Sequence, residues 1–94
     1  MSVIWNNGCW VDADAEVFRI ADRIRLGDGV FDTMLCVDGQ PCHAEKHFIR
    51  LAEGAAVLGI DWGVTFSEFM NLAAHLIQKN AEATKGRFAL NTVL

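Results

Sequence analysis

The chain has 94 residues, of which 52% are apolar, and its formal net charge is −4. It has no cluster of basic residues, which argues against a nucleic-acid partner, and no apolar stretch long enough to span a bilayer. The first residues lack the pattern of a secretory signal, so we expect one domain in the cytoplasm. The apolar fraction is high for so small a core, which indicates a face for another domain or subunit.

The N-terminal part is predicted to open with a hairpin. Residues 3–5 and 9–11 form short strand-like runs, and residues 6–8, Asn-Asn-Gly, are a turn signal between them. Residues 16–20 form a third short run of mixed polarity. Residues 22–29 predict a helical turn that Gly27 and Gly29 end.

Residues 30–37 are predicted to be an interior strand, because most of this run is apolar on both faces. One face would carry Phe31, Thr33, Leu35 and Val37, and the other Val30, Asp32, Met34 and Cys36. The pair Asp38-Gly39 predicts a tight hairpin. The return strand, residues 40–43, is expected at a sheet edge because it contains Pro41.

Two helices and a last strand follow. Residues 44–58 carry an apolar stripe of Phe48, Leu51, Ala55 and Leu58, widened by Ile49, Ala52 and Ala56. Gly59 is the predicted stop. Thr65 and Glu68 predict a capping box for a second helix that fades near Asn80. Residues 87–94 read as a strand. We therefore predict an α+β domain, an antiparallel sheet with two helices packed on one side.

The cysteines suggest neither a disulfide framework nor a metal centre. Cys9, Cys36 and Cys42 are odd in number and form no CxxC pair, as expected for reduced thiols. A metal site built from Cys42, His43 and His47 is the alternative, since His43 and His47 have the i, i+4 spacing of helical ligands. His43 is expected to precede the helix, and no second ligand cluster exists in the sequence, so we predict no metal.

Three polar residues are candidates for chemistry. Arg50 lies among apolar neighbours, a poor place for a solvated cation, and its planar fork of donors suits phosphate oxygens. The alternative is an ordinary helix arginine that snorkels to solvent. Asp32 lies on an apolar strand and needs a partner if it is buried, so either a site role or a structural ion pair with an arginine is expected. His47, three residues before Arg50, is expected to orient a neighbour.

The order of three segments resembles the N-terminal domain of class-IV aminotransferases, the fold-type IV pyridoxal-phosphate enzymes. These segments are residues 4–8 (IWNNG), residues 27–32 (GDGVFD) and residues 47–51 (HFIRL). The family includes branched-chain and D-amino-acid aminotransferases and aminodeoxychorismate lyase.

The resemblance implies roles for particular residues. Arg50 would hold the phosphate of pyridoxal 5′-phosphate, and the glycine turn would shape the wall of the active site. Phe31, Asp32 and Thr33 would contribute to the pocket for a small amino-acid-like substrate. Several relatives have a tyrosine where this chain has Phe31. Phenylalanine there favours a branched-chain aminotransferase or the lyase over a D-amino-acid enzyme.

The resemblance also implies that residues 1–94 are a single N-terminal-type domain. The lysine that bonds to the cofactor, and the acidic group opposite its pyridine nitrogen, would lie in a C-terminal domain beyond Leu94. Lys46, Lys79 and Lys85 match no catalytic position, so no catalytic residue is expected in this chain, and it should not transaminate alone.

Three hypotheses follow: part of an aminotransferase of the branched-chain group, part of a lyase on the same scaffold, or a non-catalytic module used for assembly. The expected partner is either a second copy of the chain in a homo-oligomer, because the family forms homodimers, or the C-terminal domain.

Overall fold

A computed structural model describes residues 3–15 and 29–94. The predicted run at 16–20 and most of the predicted turn at 22–29 lie outside these ranges. In chain order the elements are β1 (Val3–Asn6), β2 (Cys9–Asp12), β3 (Phe31–Val37), β4 (Gln40–Pro41), α1 (Ala44–Leu58), α2 (Phe66–Lys79) and β5 (Arg87–Val93). The predicted α+β class is confirmed.

The described strands form two antiparallel sheets where the sequence predicted one. The first is the hairpin of β1 and β2, whose turn residues Asn7 and Gly8 have positive φ angles of 48° and 92°. The second has the order β4-β3-β5, with β3 in the centre. The hairpin is separate because, among the described strands, β1 and β2 pair only with each other.

The predicted alternation along β3 is confirmed. Asp32, Met34 and Cys36 are buried, whereas Phe31, Thr33 and Leu35 are exposed. Opposite the buried residues on β5 lie Thr92, Leu90 and Phe88. The ladder continues past the strand ends, because Val30 and Leu94 exchange two backbone hydrogen bonds of 3.2 and 2.8 Å. The sheet therefore has one covered face and one open face.

A tight turn joins β3 to β4 as predicted. Asp38 and Gly39 both have positive φ angles, 50° and 79°, which is the geometry of a type I′ turn. Strand β4 is an edge strand and ends at Pro41, whose missing N–H costs no ladder bond there.

Both helices begin and end where the sequence predicts. Helix α1 ends at Gly59, which has a φ of 71° and donates its N–H to carbonyl oxygens at the end of the helix. Thr65 accepts a hydrogen bond of 3.1 Å from the Glu68 N–H, and the Glu68 carboxylate accepts one of 3.2 Å from the Thr65 N–H. This reciprocal pair is the predicted capping box.

The core lies between the covered sheet face and the two helices. It is formed by Met34, Cys36, Leu51, Phe69, Ala73 and Leu90. Next to it, Phe48 packs in ring contact with Trp62, Phe66 and Phe69 at centroid distances of 5.4 to 5.6 Å. The predicted α1 stripe is wrong at Ile49, Ala56 and Leu58, which are exposed, Ile49 at 44% and Leu58 at 49%.

Helix α2 also holds the N-terminal hairpin. Trp5 and Trp10 are cross-strand partners whose rings meet edge to face at 4.9 Å. The Lys79 ammonium lies 5.0 Å from the centre of the Trp10 ring, and Asn80 hydrogen-bonds the backbone of Val3. Within residues 3–15 and 29–94, no helix has the length and apolar character needed to cross a membrane.

Candidate functional site

Asp32 and His47 form the central contact of the candidate site. Asp32 projects from β3 toward α1, and its side chain is only 2% exposed. The Nδ1 atom of His47 lies 3.0 Å from Oδ1 of Asp32 and 2.9 Å from Oδ2. An ionised carboxylate only accepts, so Nδ1 must carry the proton and donate to both oxygens. The prediction that His47 orients a neighbour fits this contact.

Arg50 lies at the solvent side of the same carboxylate. Its Nη1 atom is 3.8 Å from Oδ1 of Asp32, and the Arg50 side chain is 68% exposed. At this distance the two groups attract each other without a direct hydrogen bond, and solvent screens the attraction. The ion pair with an arginine, one of the two expectations for Asp32, is therefore present in a loose form. The expectation of a poorly solvated Arg50 is wrong.

Helix geometry explains this exposure. Leu51 points into the core and is fully buried. Because successive helix residues are about 100° apart, Arg50 projects to one side of that direction. It shares this side of α1 with His47 and Gly54, three residues before it and four residues after it. This side of α1, with His47, Arg50 and Gly54, faces the beginning of β3.

Gly54 allows this side of α1 to approach β3 closely. A Cβ atom at position 54 would lie 3.0 Å from Cγ1 and 3.2 Å from Cγ2 of Val30. Val30 is two residues before Asp32, so the close approach helps to bring α1 to the carboxylate. Gly54 was not among the residues predicted for the site. The available signal was a glycine inside a long helical pattern, where it costs about 1 kcal/mol relative to alanine.

The other predicted substrate residues lie on the open face of the sheet. Phe31 is 69% exposed, and the Thr33 hydroxyl donates a 3.0 Å hydrogen bond to Oδ1 of Asn91 on β5. Leu35 and Val93 extend this surface with exposures of 42% and 51%. Since side chains alternate along a strand, Asp32 points away from this surface. The three residues predicted for one pocket therefore lie on two faces of β3.

Gly29 lies close to the backbone of Leu94, at the end of the β3–β5 ladder and beside the open face. A Cβ atom there would lie 2.9 Å from the carbonyl oxygen of Leu94 and 3.8 Å from the Phe31 ring. Such a distance from backbone is too short for any larger residue without movement. The last residue of the predicted glycine turn is thus a close-packing position next to Phe31, whereas Gly27 and Asp28 lie outside the described residues.

The other candidate groups do not join this site. His43 precedes α1 with a φ of 56°, and among the described residues no group of three or more metal-ligating side chains comes together. Lys46 is exposed on α1. Lys79 covers the Trp10 ring, and Lys85 pairs with Glu82 at 3.2 Å.

Cys36 is the one described group with a clear change in acidity. Burial in the core raises the pKa of its thiol above the ordinary value of 9.0, and the nearby Cys42 thiol raises that pKa further. A thiol that holds its proton is a poor nucleophile. Cys36 is therefore a core residue, as the sequence predicts.

An open cleft lies elsewhere, between the hairpin and α2. Its volume is about 700 Å³, and it is lined by Val3, Trp10, Val11, Asp12, Asp14, Ala15 and Lys79. No residue predicted for the site belongs to this lining.

Comparison with known proteins gives consistent matches. Residues 29–92 match the family model described as amino-transferase class IV. The D-alanine aminotransferase of Staphylococcus epidermidis is 27% identical over 81 residues, which cover 85% of this chain and 29% of that protein. The D-alanine aminotransferase of Staphylococcus haemolyticus is 26% identical over the same length.

A solved structure from Legionella pneumophila, described as a 4-amino-4-deoxychorismate lyase, superposes with a TM-score of 0.71 at 32% identity. The match covers 87% of this chain and 30% of that one. The chain thus spans less than a third of the length of these relatives, at 29% and 30%.

Proposed function

Because the chain belongs to the class-IV aminotransferase family, whose members depend on pyridoxal phosphate, we propose that it supplies one wall of such an enzyme's active site. In this proposal Arg50 holds the phosphate of the cofactor. Phe31 and Thr33, on the open face of β3, contact a small amino-acid-like substrate. The cofactor itself supplies the electron-withdrawing chemistry.

The observation that carries the proposal is the exposed guanidinium of Arg50, next to a carboxylate that does not hydrogen-bond it. The side chain is 68% exposed and 3.8 Å from Asp32. A guanidinium has five N–H donors in a planar fork, which match phosphate oxygens in pairs. The donors that point away from Asp32 can therefore meet a phosphate. The residues present fit this part of the cofactor.

The open face of the sheet supports the substrate role. Phe31 has no hydroxyl, so it can pack against a substrate but cannot exchange a proton with it. Asp32 lies on the covered face, where its Oδ1 atom is 3.8 Å from Arg50. The sequence predicted that Asp32 binds substrate, but its side chain points away from the open face that carries Phe31 and Thr33. We therefore assign Asp32 to the phosphate site, beside Arg50.

The test compares pyridoxal 5′-phosphate with pyridoxal, which lacks the phosphate. We expect the chain to bind the phosphorylated form more tightly at low salt, as measured by nuclear magnetic resonance titration. Arg50→Met should abolish this preference, because methionine fills similar volume without donors. Arg87→Met is the matched control, since Arg87 begins β5 at the other end of the β3 ladder, opposite Val37. Equal preference in wild type and Arg50→Met would contradict the proposal.

The reaction we propose is amino transfer, with a preference for branched-chain substrates that is supported by Phe31 alone. A lyase reaction is the second candidate, favoured by the likeness to the Legionella protein at 32% identity. The enzyme that carries this domain should be assayed with branched-chain L-amino acids, D-alanine and 4-amino-4-deoxychorismate. Turnover of D-alanine alone would contradict both the branched-chain preference and the argument from Phe31.

The exposed apolar side chains also support assembly. Phe31, Leu35 and Val93 lie on the open sheet face, and we propose that another domain or a second copy of the chain covers part of this face. A purely monomeric state in sedimentation, for the protein carrying both domains, would argue against the second copy.

A further inference from the structure

Two side chains with N–H donors share one buried carboxylate unequally. Asp32 has 2% of its side chain exposed, so it cannot turn to water for hydrogen bonds. His47 donates to both of its oxygens at 2.9 and 3.0 Å, and the nearest Arg50 nitrogen stays at 3.8 Å. His47 thus takes the place on the carboxylate that a guanidinium fork would otherwise occupy.

We propose that His47 is a positioning residue that keeps Arg50 available to an anion. By satisfying both oxygens of Asp32, it prevents the carboxylate from forming a two-pronged pair with Arg50. This proposal rests on the proposed function, and it assigns to His47 a part that the family likeness does not.

The helix geometry would allow Arg50 to replace His47 as the hydrogen-bond partner of Asp32. His47 and Arg50 lie three residues apart on the same side of α1, and both reach the same carboxylate. A bidentate pair of arginine with carboxylate is among the strongest contacts between side chains. Without a donor at position 47, the buried Asp32 carboxylate would lack hydrogen bonds, which is unfavourable. It would then attract the nearest donor that can move. That donor is the 68% exposed side chain of Arg50.

The first measurement is the affinity of the chain for inorganic phosphate and for pyridoxal 5′-phosphate, followed by nuclear magnetic resonance titration at low salt. His47→Leu should bind both about fivefold more weakly, because a pair of Asp32 with the partly solvated Arg50 would compete with the ligand. His47→Asn should bind nearly as wild type, because its amide nitrogen can take the place of Nδ1. His75→Leu, the same change at an exposed position on α2, is the matched control.

A double-mutant cycle separates positioning from a merely structural role. Asp32→Asn removes the charge that would capture Arg50, so His47→Leu should cause no further loss of affinity in that background. A loss that persists in Asp32→Asn would overturn the proposal, as would unchanged affinity in His47→Leu. If His47→Leu does not fold, His47→Ala, which suits the helix better, is used in the same cycle.

Arg50→Met makes the two proposals distinguishable. If this variant binds phosphate as wild type does, the proposed function fails, and the role of His47 fails with it. If Arg50→Met loses binding while His47→Leu keeps it, only the role of His47 is overturned. The Nε–H signal of Arg50 gives a readout independent of affinity. It should shift in His47→Leu without ligand, as the guanidinium moves toward Asp32.

Discussion

The side chain of Asn80 bonds to Val3 as a neighbouring strand would. Its Oδ1 accepts a hydrogen bond of 2.8 Å from the Val3 N–H, and its Nδ2 donates one of 2.9 Å to the Val3 carbonyl oxygen. The same amide group also donates to the carbonyl of Leu76 in the last turn of α2. One residue after the helix thereby fixes the beginning of the hairpin, 77 positions away in the chain.

We expect Asn80→Ala to lower the free energy of unfolding by about 2 kcal/mol, because it leaves partly buried backbone groups of Val3 without partners. Urea denaturation measures the change. Hydrogen exchange at the Val3 amide should become faster as well. Asn71→Ala is the control, since Asn71 is exposed in the middle of α2, where alanine is the better helix former. An Asn80→Ala variant as stable as wild type would show that the hairpin does not depend on this amide.

Gly54→Ala should fail to give the usual gain of alanine over glycine in a helix, about 1 kcal/mol. The new Cβ would lie 3.0 Å from Cγ1 of Val30, which forces α1 or the valine to move. Val30→Ala removes the two methyl groups, so Gly54→Ala should be more favourable in that background than in wild type. Additive effects in this cycle of unfolding free energies would refute the steric argument.

The two faces of β3 should respond differently to truncation. Met34 is 1% exposed and Leu35 is 42% exposed. Met34→Ala should therefore cost about 2–5 kcal/mol, and Leu35→Ala about 1 kcal/mol or less. Thermal and urea unfolding of the two variants compare neighbouring positions of one strand. Similar losses at both positions would mean that the open face is covered in solution.

The Cys36 thiol should make stability fall at high pH. Burial and the adjacent Cys42 raise its pKa in the folded state above 9.0, so the unfolded chain loses this proton first as the pH rises. The contribution of the neutral thiol is complete below the unfolded pKa, and it is lost as the pH rises through the folded pKa. We expect the stability difference between wild type and Cys36→Ala to shrink above pH 9.0. A difference independent of pH would contradict the raised pKa.

Local patterns were sufficient to predict most of the elements. The capping box at Thr65, the stop at Gly59 and the turn at Asp38-Gly39 each depend on a few adjacent residues, and all are present. The alternation along β3 also divided its side chains correctly into two faces, because successive side chains of a strand point to opposite sides. These features needed no knowledge of tertiary contacts.

The sequence could not predict features that arise from contacts between distant residues. The apolar neighbours of Arg50 suggested burial, yet the direction of its side chain depends on which side of α1 meets the sheet. The unequal sharing of Asp32 between His47 and Arg50 depends on distances that no spacing rule specifies. The close approach at Gly54 became visible only when Val30, 24 positions earlier, was seen to face it.

The alternation of β3 has a consequence for how this region can change. Asp32 points toward the helices, whereas Phe31 and Thr33 point to the opposite face of the sheet. A shift of the strand register by one position would move every side chain of β3 to the other face. An insertion or deletion within this strand would then expose the carboxylate and bury Phe31. Substitutions can adjust either surface separately, but a change of length in residues 31–37 would disturb together the two faces for which we propose anion and substrate recognition.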